Sequence, residues 1–117
     1  MPTPASPPVL TVDVQRCAGN VFVLHCHGRL VAGATSVLSD AVTPLIPQTK
    51  RIVLDLSDLQ HTDSMGLGTL VRLYVSAKSA GCSLELMHLS KQISHLLGLT
   101  NLASVLTVIG ESGIKFM

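Results

Sequence analysis

Arg51-Ile52-Val53-Leu54-Asp55-Leu56 is a short, nearly continuous apolar run, the pattern of a strand buried on both faces of a sheet. Such a strand is expected at the centre of a sheet, and the rest of the chain supplies its neighbours. Val9 to Val14 alternates crudely and ends at Cys17-Ala18-Gly19-Asn20. Val21 to His27 is a second β-rich run, so the pair reads as a hairpin with Gly-Asn as its turn signal. From Thr35 through Pro47 the apolar residues Val37, Leu38, Ala41, Val42, Leu45 and Ile46 recur at helical spacing, and Pro44 predicts a kinked or short helix.

Asp58 to Gly68 is polar and turn-rich. A helical stripe of Leu67, Leu70, Val71, Tyr74 and Val75 follows and persists to Ala80, with Gly81 as the expected stop. Ser83 to Met87 alternates as a strand, Ser90 to Leu97 reads as a helix, and Val105 to Ile109 reads as a last strand. Two strands followed by three helix-strand alternations imply an α/β fold. Its sheet is mixed and of about five strands, parallel by helical crossovers except for one antiparallel strand from the hairpin, with helices packed against it.

At 117 residues one domain is the default. The tract Met1-Pro2-Thr3-Pro4-Ala5-Ser6-Pro7-Pro8 lacks the basic and apolar regions of a signal peptide and reads as a flexible, solvated tail, leaving 9–117 as the domain. Hydrophobic residues make up 47% of the chain and charged residues 13%, which supplies an ample core. Aromatic residues are 3% with no Trp, so there is no stacking platform for single-stranded nucleic acid. Eight basic and seven acidic residues are scattered singly for a net charge of +1, which argues against direct nucleic-acid binding. No stretch has the roughly 20 apolar residues of a membrane span, so no membrane insertion is expected. Cys17, Cys26 and Cys82 are odd in number and widely spaced, which fits a reducing cytoplasm better than a disulfide framework.

The chemistry points to Asp63-Ser64-Met65-Gly66-Leu67-Gly68, after the apolar strand and at the expected start of a helix. Ser64 is placed to act as N-cap, and Asp63 beside it favours the positive helix end. Capping alone is the plainest account of such a pair. Gly66 and Gly68 argue for more, because each weakens a first turn by roughly 1 kcal/mol relative to Ala; close approach by a partner backbone is one reason to keep them. An exposed serine there is reachable by a kinase, and a phosphate would bring about −1.5 to −2 charges beside free N–H groups. It would also turn an apolar patch of Met65 and Leu67 into a repulsive one.

These residues carry a resemblance. From about Val9 to Ile109 the chain resembles STAS domains of the anti-sigma factor antagonist type. The match lies in the strand ending Asp55-Leu56, the motif Asp63 to Gly68, the helix leading to Ala77-Lys78-Ser79-Ala80-Gly81, and Leu97-Gly98-Leu99-Thr100-Asn101-Leu102. The resemblance implies a non-enzymatic cytoplasmic switch that binds an anti-sigma factor of the serine kinase type when unphosphorylated, so regulating sigma-factor-dependent transcription. Ser64 is then the phosphoacceptor, a serine phosphatase restores the binding form, and Asp63, Ser64, Met65, Gly66, Leu67 and Gly68 form the partner-binding surface. Met65 stands where that motif usually has a small residue, and Val31 where many antagonists carry an aspartate. Other STAS domains are accessory subunits of lipid or anion transport systems or parts of sensory scaffolds, in which Ser64 would be a cap only.

Other constellations are weaker. His25 and His27 share one face of a strand while Cys26 points away, and no second ligand cluster follows, so no metal is expected. His61, Asp63 and Ser64 include the residue types of a nucleophilic triad but crowd one loop without a Gly-x-Ser-x-Gly elbow. His88 and His95 read as surface or helix-packing residues. A helix N-terminus after a parallel strand can hold an anion, yet no Lys or Arg flanks this loop and no nucleotide fingerprint is present, so no cofactor is expected.

Overall fold

The computed structural model describes residues 9–100 and, as backbone, 107–109. The elements run β1 (Leu10–Cys17), β2 (Val21–Leu30), α1 (Thr35–Val42), a 3-10 helix (Thr43–Gln48), β3 (Arg51–Thr62), α2 (Ser64–Ser79), β4 (Ser83–Met87), α3 (Lys91–Leu99) and β5 (Thr107–Ile109). The expected tail over residues 1–8, the residues Asn101 and Leu102 of the resemblance, and Val105 and Leu106 of the expected last strand lie outside the described residues.

The sheet is mixed, in the order β1-β2-β3-β4-β5. The β1–β2 hairpin is antiparallel and every other pairing parallel. Because strand order follows chain order without reversal, right-handed crossovers put every connecting helix on the same face. The core reflects this. Phe22, Leu24 and Cys26 of β2, Ile52, Leu54 and Leu56 of β3, and Leu84 and Leu86 of β4 form one cluster with Leu38 and Val42 of α1, Leu70 and Ala77 of α2, and Ile93 and Leu97 of α3. Each fully buried leucine or isoleucine stabilises the fold by about 1.5–3 kcal/mol relative to exposure. The intervening residues His25, Val53, Asp55 and Glu85 point to the opposite face.

Local signals account for most boundaries. Gly19 and Asn20 both have positive φ, as a tight hairpin turn demands. Pro44, the second residue of the 3-10 segment, ends α1, which cannot continue regularly through a residue without an N–H. Gly81, at φ +77°, ends α2 while Cys82 N donates to Ala77 O at 2.8 Å. Ser90 caps α3, its hydroxyl accepting from Ile93 N at 3.1 Å.

Two strands run longer than expected: β2, read as Val21 to His27, continues to Leu30, and β3 continues alongside it. The tract from Asp58 reads as turn-rich, but β3 continues to Thr62, because the second half of β2 pairs with it. Register shifts lie between His25 and His27 and between Gly28 and Arg29. These irregularities leave Leu56, Leu59 and Thr62 buried at every third residue, so the alternation that announces a strand is absent from the sequence.

Candidate functional site

The extended β3 delivers the Asp63–Gly68 motif to the end of the sheet at which the β3–α2 crossover begins. Asp63, with φ −120° and ψ −173°, is the N-cap of α2, and Ser64 is the first helical residue. This corrects the expectation that Ser64 caps the helix: an aspartate one residue earlier holds that position, and its Oδ1 accepts from Gly66 N at 2.9 Å. The second oxygen is engaged as well. Oδ2 accepts from Ala32 N at 3.0 Å, tying the turn after β2 to the start of α2. The Ala32 and Gly66 N–H bonds, opposed by burial and assisted by the Met65 N–H, hold the Asp63 carboxyl below the usual carboxylate range.

Ser64 is exposed and, among the described residues, its hydroxyl makes no hydrogen bond. Met65 is 58% exposed. Gly68 is exposed, with nothing within 4 Å of where a Cβ would stand. The remaining residues of the motif are turned inward. Leu67 is buried in the core beside Leu70, as the helical stripe that begins with it predicts, and so presents no surface, which corrects its expected place in an exposed patch. Gly66 is buried too, and a Cβ there would strike Leu30 O and Thr62 Oγ1. Its smallness serves a close approach inside the molecule. The exposed motif surface is therefore Ser64, Met65 and Gly68, beside a half-buried Asp63.

Leu30, Ala32 and Thr62 complete the site, although no sequence motif marks them. Thr62 donates its buried hydroxyl to Leu30 O at 2.7 Å, so the end of β2 is fastened to the end of β3 directly below Asp63. The available signal was Thr62 itself, a β-branched hydroxyl residue immediately before the cap.

Four of the five histidines are engaged in other contacts. His61 Nδ1 lies 3.2 Å from Gln92 Nε2, while Asp63 is occupied by backbone donors, so His61, Asp63 and Ser64 do not assemble as a triad. On the opposite sheet face His27 lies between Asp58 of β3 at 2.7 Å and Asp13 of β1 at 3.0 Å. His25 bonds Asp55 at 2.8 Å and Gln15 at 2.9 Å, and His88 bonds the other oxygen of Asp55 at 3.0 Å. Among the described residues no group of three or more His, Cys, Asp or Glu side chains is arranged to hold a metal ion. No helix among them is long and apolar enough to cross a membrane.

The fold is thus a one-sided mixed sheet with an exposed serine in the first turn of a helix capped by the preceding aspartate. The family model described as STAS domain matches residues 14–113. The chain belongs to the STAS domain family. This STAS domain is 28% identical over 103 residues to the anti-sigma-B factor antagonist of Bacillus subtilis (strain 168), covering 88% of this chain and 94% of that one. An anti-sigma factor antagonist from Mycobacterium paratuberculosis superimposes with a TM-score of 0.77 at 20% identity, covering 89% of this chain and 88% of that one. The Bacillus protein SpoIIAA resembles it in two states, each at 15% identity and covering 87% of this chain. The unphosphorylated form, an anti-sigma factor antagonist, gives a TM-score of 0.71 over 90% of its own length, and the phosphorylated form 0.66 over 94%.

Proposed function

We propose that this STAS domain is an anti-sigma factor antagonist that docks a serine-kinase anti-sigma factor while Ser64 is unphosphorylated and is released when Ser64 is phosphorylated. The observation that carries this reading is the division of labour at the α2 N-terminus. Asp63 supplies the cap, so the exposed Ser64 hydroxyl is left without a structural bond among the described residues. A serine at the first turn that does not cap is free to be a substrate. The switch needs no catalytic group in this chain, since the transfer is the kinase's chemistry; the chain contributes an acceptor and a surface. Phosphorylation places a dianion beside Met65 and the carboxylate of Asp63, and a partner packed on that surface meets uncompensated negative charge. The names of the B. subtilis relative and of SpoIIAA support the antagonist class, and the phosphorylated form of SpoIIAA supports a phosphorylated state on this fold. A serine phosphatase would restore the binding form, and the cycle is cytoplasmic.

Affinity capture from native-cell lysate with wild-type, Ser64→Ala and Ser64→Asp baits tests the reading. An anti-sigma factor retained by wild type and Ser64→Ala but lost with Ser64→Asp is the expected result. Equal retention of one partner by all three baits overturns release by phosphorylation, and a transport component as that partner identifies a constitutive subunit instead. Because Ser64 is not the cap, Ser64→Ala should change stability by no more than about 0.5 kcal/mol.

A further inference from the structure

Why the cap of α2 is an aspartate follows from the number of donors it serves. An N-cap needs one acceptor oxygen, and serine, threonine or asparagine provides it. Asp63 uses two: Oδ1 for Gly66 N within its own helix, and Oδ2 for Ala32 N, 31 residues earlier in the chain. Ala32 sits in the exposed turn between β2 and α1, which closes on itself through Ala34 N donating to Val31 O at 2.9 Å. Below that turn Leu30 is held independently, by the Thr62 hydroxyl. The Asp63 carboxylate is thus the bond that joins this turn to the helix bearing Ser64, with a fixed point directly beneath it.

We propose that Asp63 is the positioning residue through which charge on Ser64 reaches the Val31–Ala34 turn: a phosphate on Ser64 displaces the carboxylate from Ala32 N and frees the turn. The inference rests on the reading of Ser64 as a phosphoacceptor and extends it. The phosphoryl group arrives one residue from the carboxylate with about −1.5 to −2 charges and three acceptor oxygens, and it competes for the same first-turn N–H groups. Two anions cannot share those donors without repulsion, and the group with the greater charge holds them. Repelled from the first turn, where Oδ1 had accepted from Gly66 N, the carboxylate turns away and carries Oδ2 out of reach of Ala32 N. Motion is confined to the turn, because Thr62 still holds Leu30. A partner that contacts both the turn and the start of α2 would sense phosphorylation at two places.

The test is amide exchange of the isolated 117-residue chain followed by NMR, with no partner present. Four proteins form a double-mutant cycle: wild type, Ser64→Asp, Asp63→Asn and the double variant. Asparagine still caps, yet has one acceptor oxygen and no charge, so it keeps the helix start while removing the charge-sensing element. In the wild-type background Ser64→Asp should speed exchange of the Ala32 amide by about tenfold, with core amides such as that of Leu54 unchanged. In the Asp63→Asn background the same change should alter Ala32 by less than about twofold, the non-additivity that direct coupling requires. Phosphoserine incorporated at position 64 provides a second probe should the aspartate prove too weak a mimic, and it should give at least the same acceleration. An Ala32 amide indifferent to phosphoserine, or responding equally in both backgrounds, overturns the proposal. Partner release by phosphorylation together with an unmoved Ala32 amide also overturns it, while leaving the reading of Ser64 intact.

Discussion

The backbone of Gly66 lies against the carbonyl oxygen of Leu30, so closely that a Cβ at position 66 would meet that oxygen and the hydroxyl of Thr62. Gly68, two residues on, has open space at the same place. Both glycines cost helix stability in the same way, and only one has a packing reason to be there. Gly66→Ala should therefore destabilise the domain by about 1–3 kcal/mol, the usual range for overpacking, against a helix-propensity gain of at most about 1 kcal/mol. Gly68→Ala should stabilise it by about 0.5–1 kcal/mol. Urea unfolding midpoints measure both, and shifts of the same sign would refute the packing account.

His27 touches carboxylate oxygens with both ring nitrogens, Asp58 at Nδ1 and Asp13 at Nε2. An ionised carboxylate only accepts, so both contacts are hydrogen bonds only when the imidazole carries two protons. The bond to Asp58, opposed by burial and reinforced by Asp13, raises the His27 pKa above its ordinary 6.5. A raised pKa means that the stabilisation is fully present below the unfolded value and is lost as pH rises through the folded one. Thermal midpoints taken between about pH 5.5 and 8.5 should fall with pH in the wild type and fall less in His27→Gln. The loss should be greatest at β1, which His27 joins to β2 and β3, so β1 amides should exchange faster at the alkaline end.

Asp55 behaves in the opposite sense. Burial pushes its carboxyl up, but the Ser57 backbone N–H, His88, the Ser57 side chain and His25 together outweigh it and bring the pKa to about 2 from 3.8. A depressed pKa gives stability that is present above the unfolded value and is lost as pH falls through the folded one. Asp55→Asn should therefore start less stable at neutral pH and lose less between about pH 4 and 2 than the wild type. Parallel acid limbs in the two proteins would show that these bonds do not stabilise the carboxylate.

The three cysteines are free thiols in unlike settings. Burial, with a smaller effect of the Asp55 charge, pushes the Cys26 thiol up to about 12, and burial also raises Cys82. The thiolate is the reactive form, so neither should alkylate in the native state near neutral pH. Brief iodoacetamide treatment followed by mass spectrometry should label Cys17, which is half-buried, ahead of both. Cys26 and Cys82 should become labelled only when urea unfolds the domain; native labelling of Cys26 at a rate like that of Cys17 would contradict the packing of β2.

Much of this domain was legible in one dimension because its causes are local. The apolar run at Arg51–Leu56, the Gly19-Asn20 turn, the stripe after Leu67 and the stop at Gly81 depend on periodicity and on backbone freedom, and both are written in neighbouring residues. From them came the order of elements, the mixed sheet and the place of Ser64 at a strand-to-helix junction. What required tertiary structure depends on residues about thirty apart in the chain. The extension of β3 to Thr62 exists because the end of β2 lies alongside it, and the register shifts there remove the alternation a reader of sequence would look for. Gly66 looks like an invitation to a partner until Leu30 is seen against it, and Leu67, which the sequence offers both to a helical stripe and to an exposed patch, is placed in the core by the packing of α2 on the sheet. Asp63 and Ser64 are both good caps by residue type. Only the position of Ala32 N, brought in by the fold, decides that the aspartate takes the cap and leaves the serine free, because only a carboxylate has an oxygen for each of the two donors.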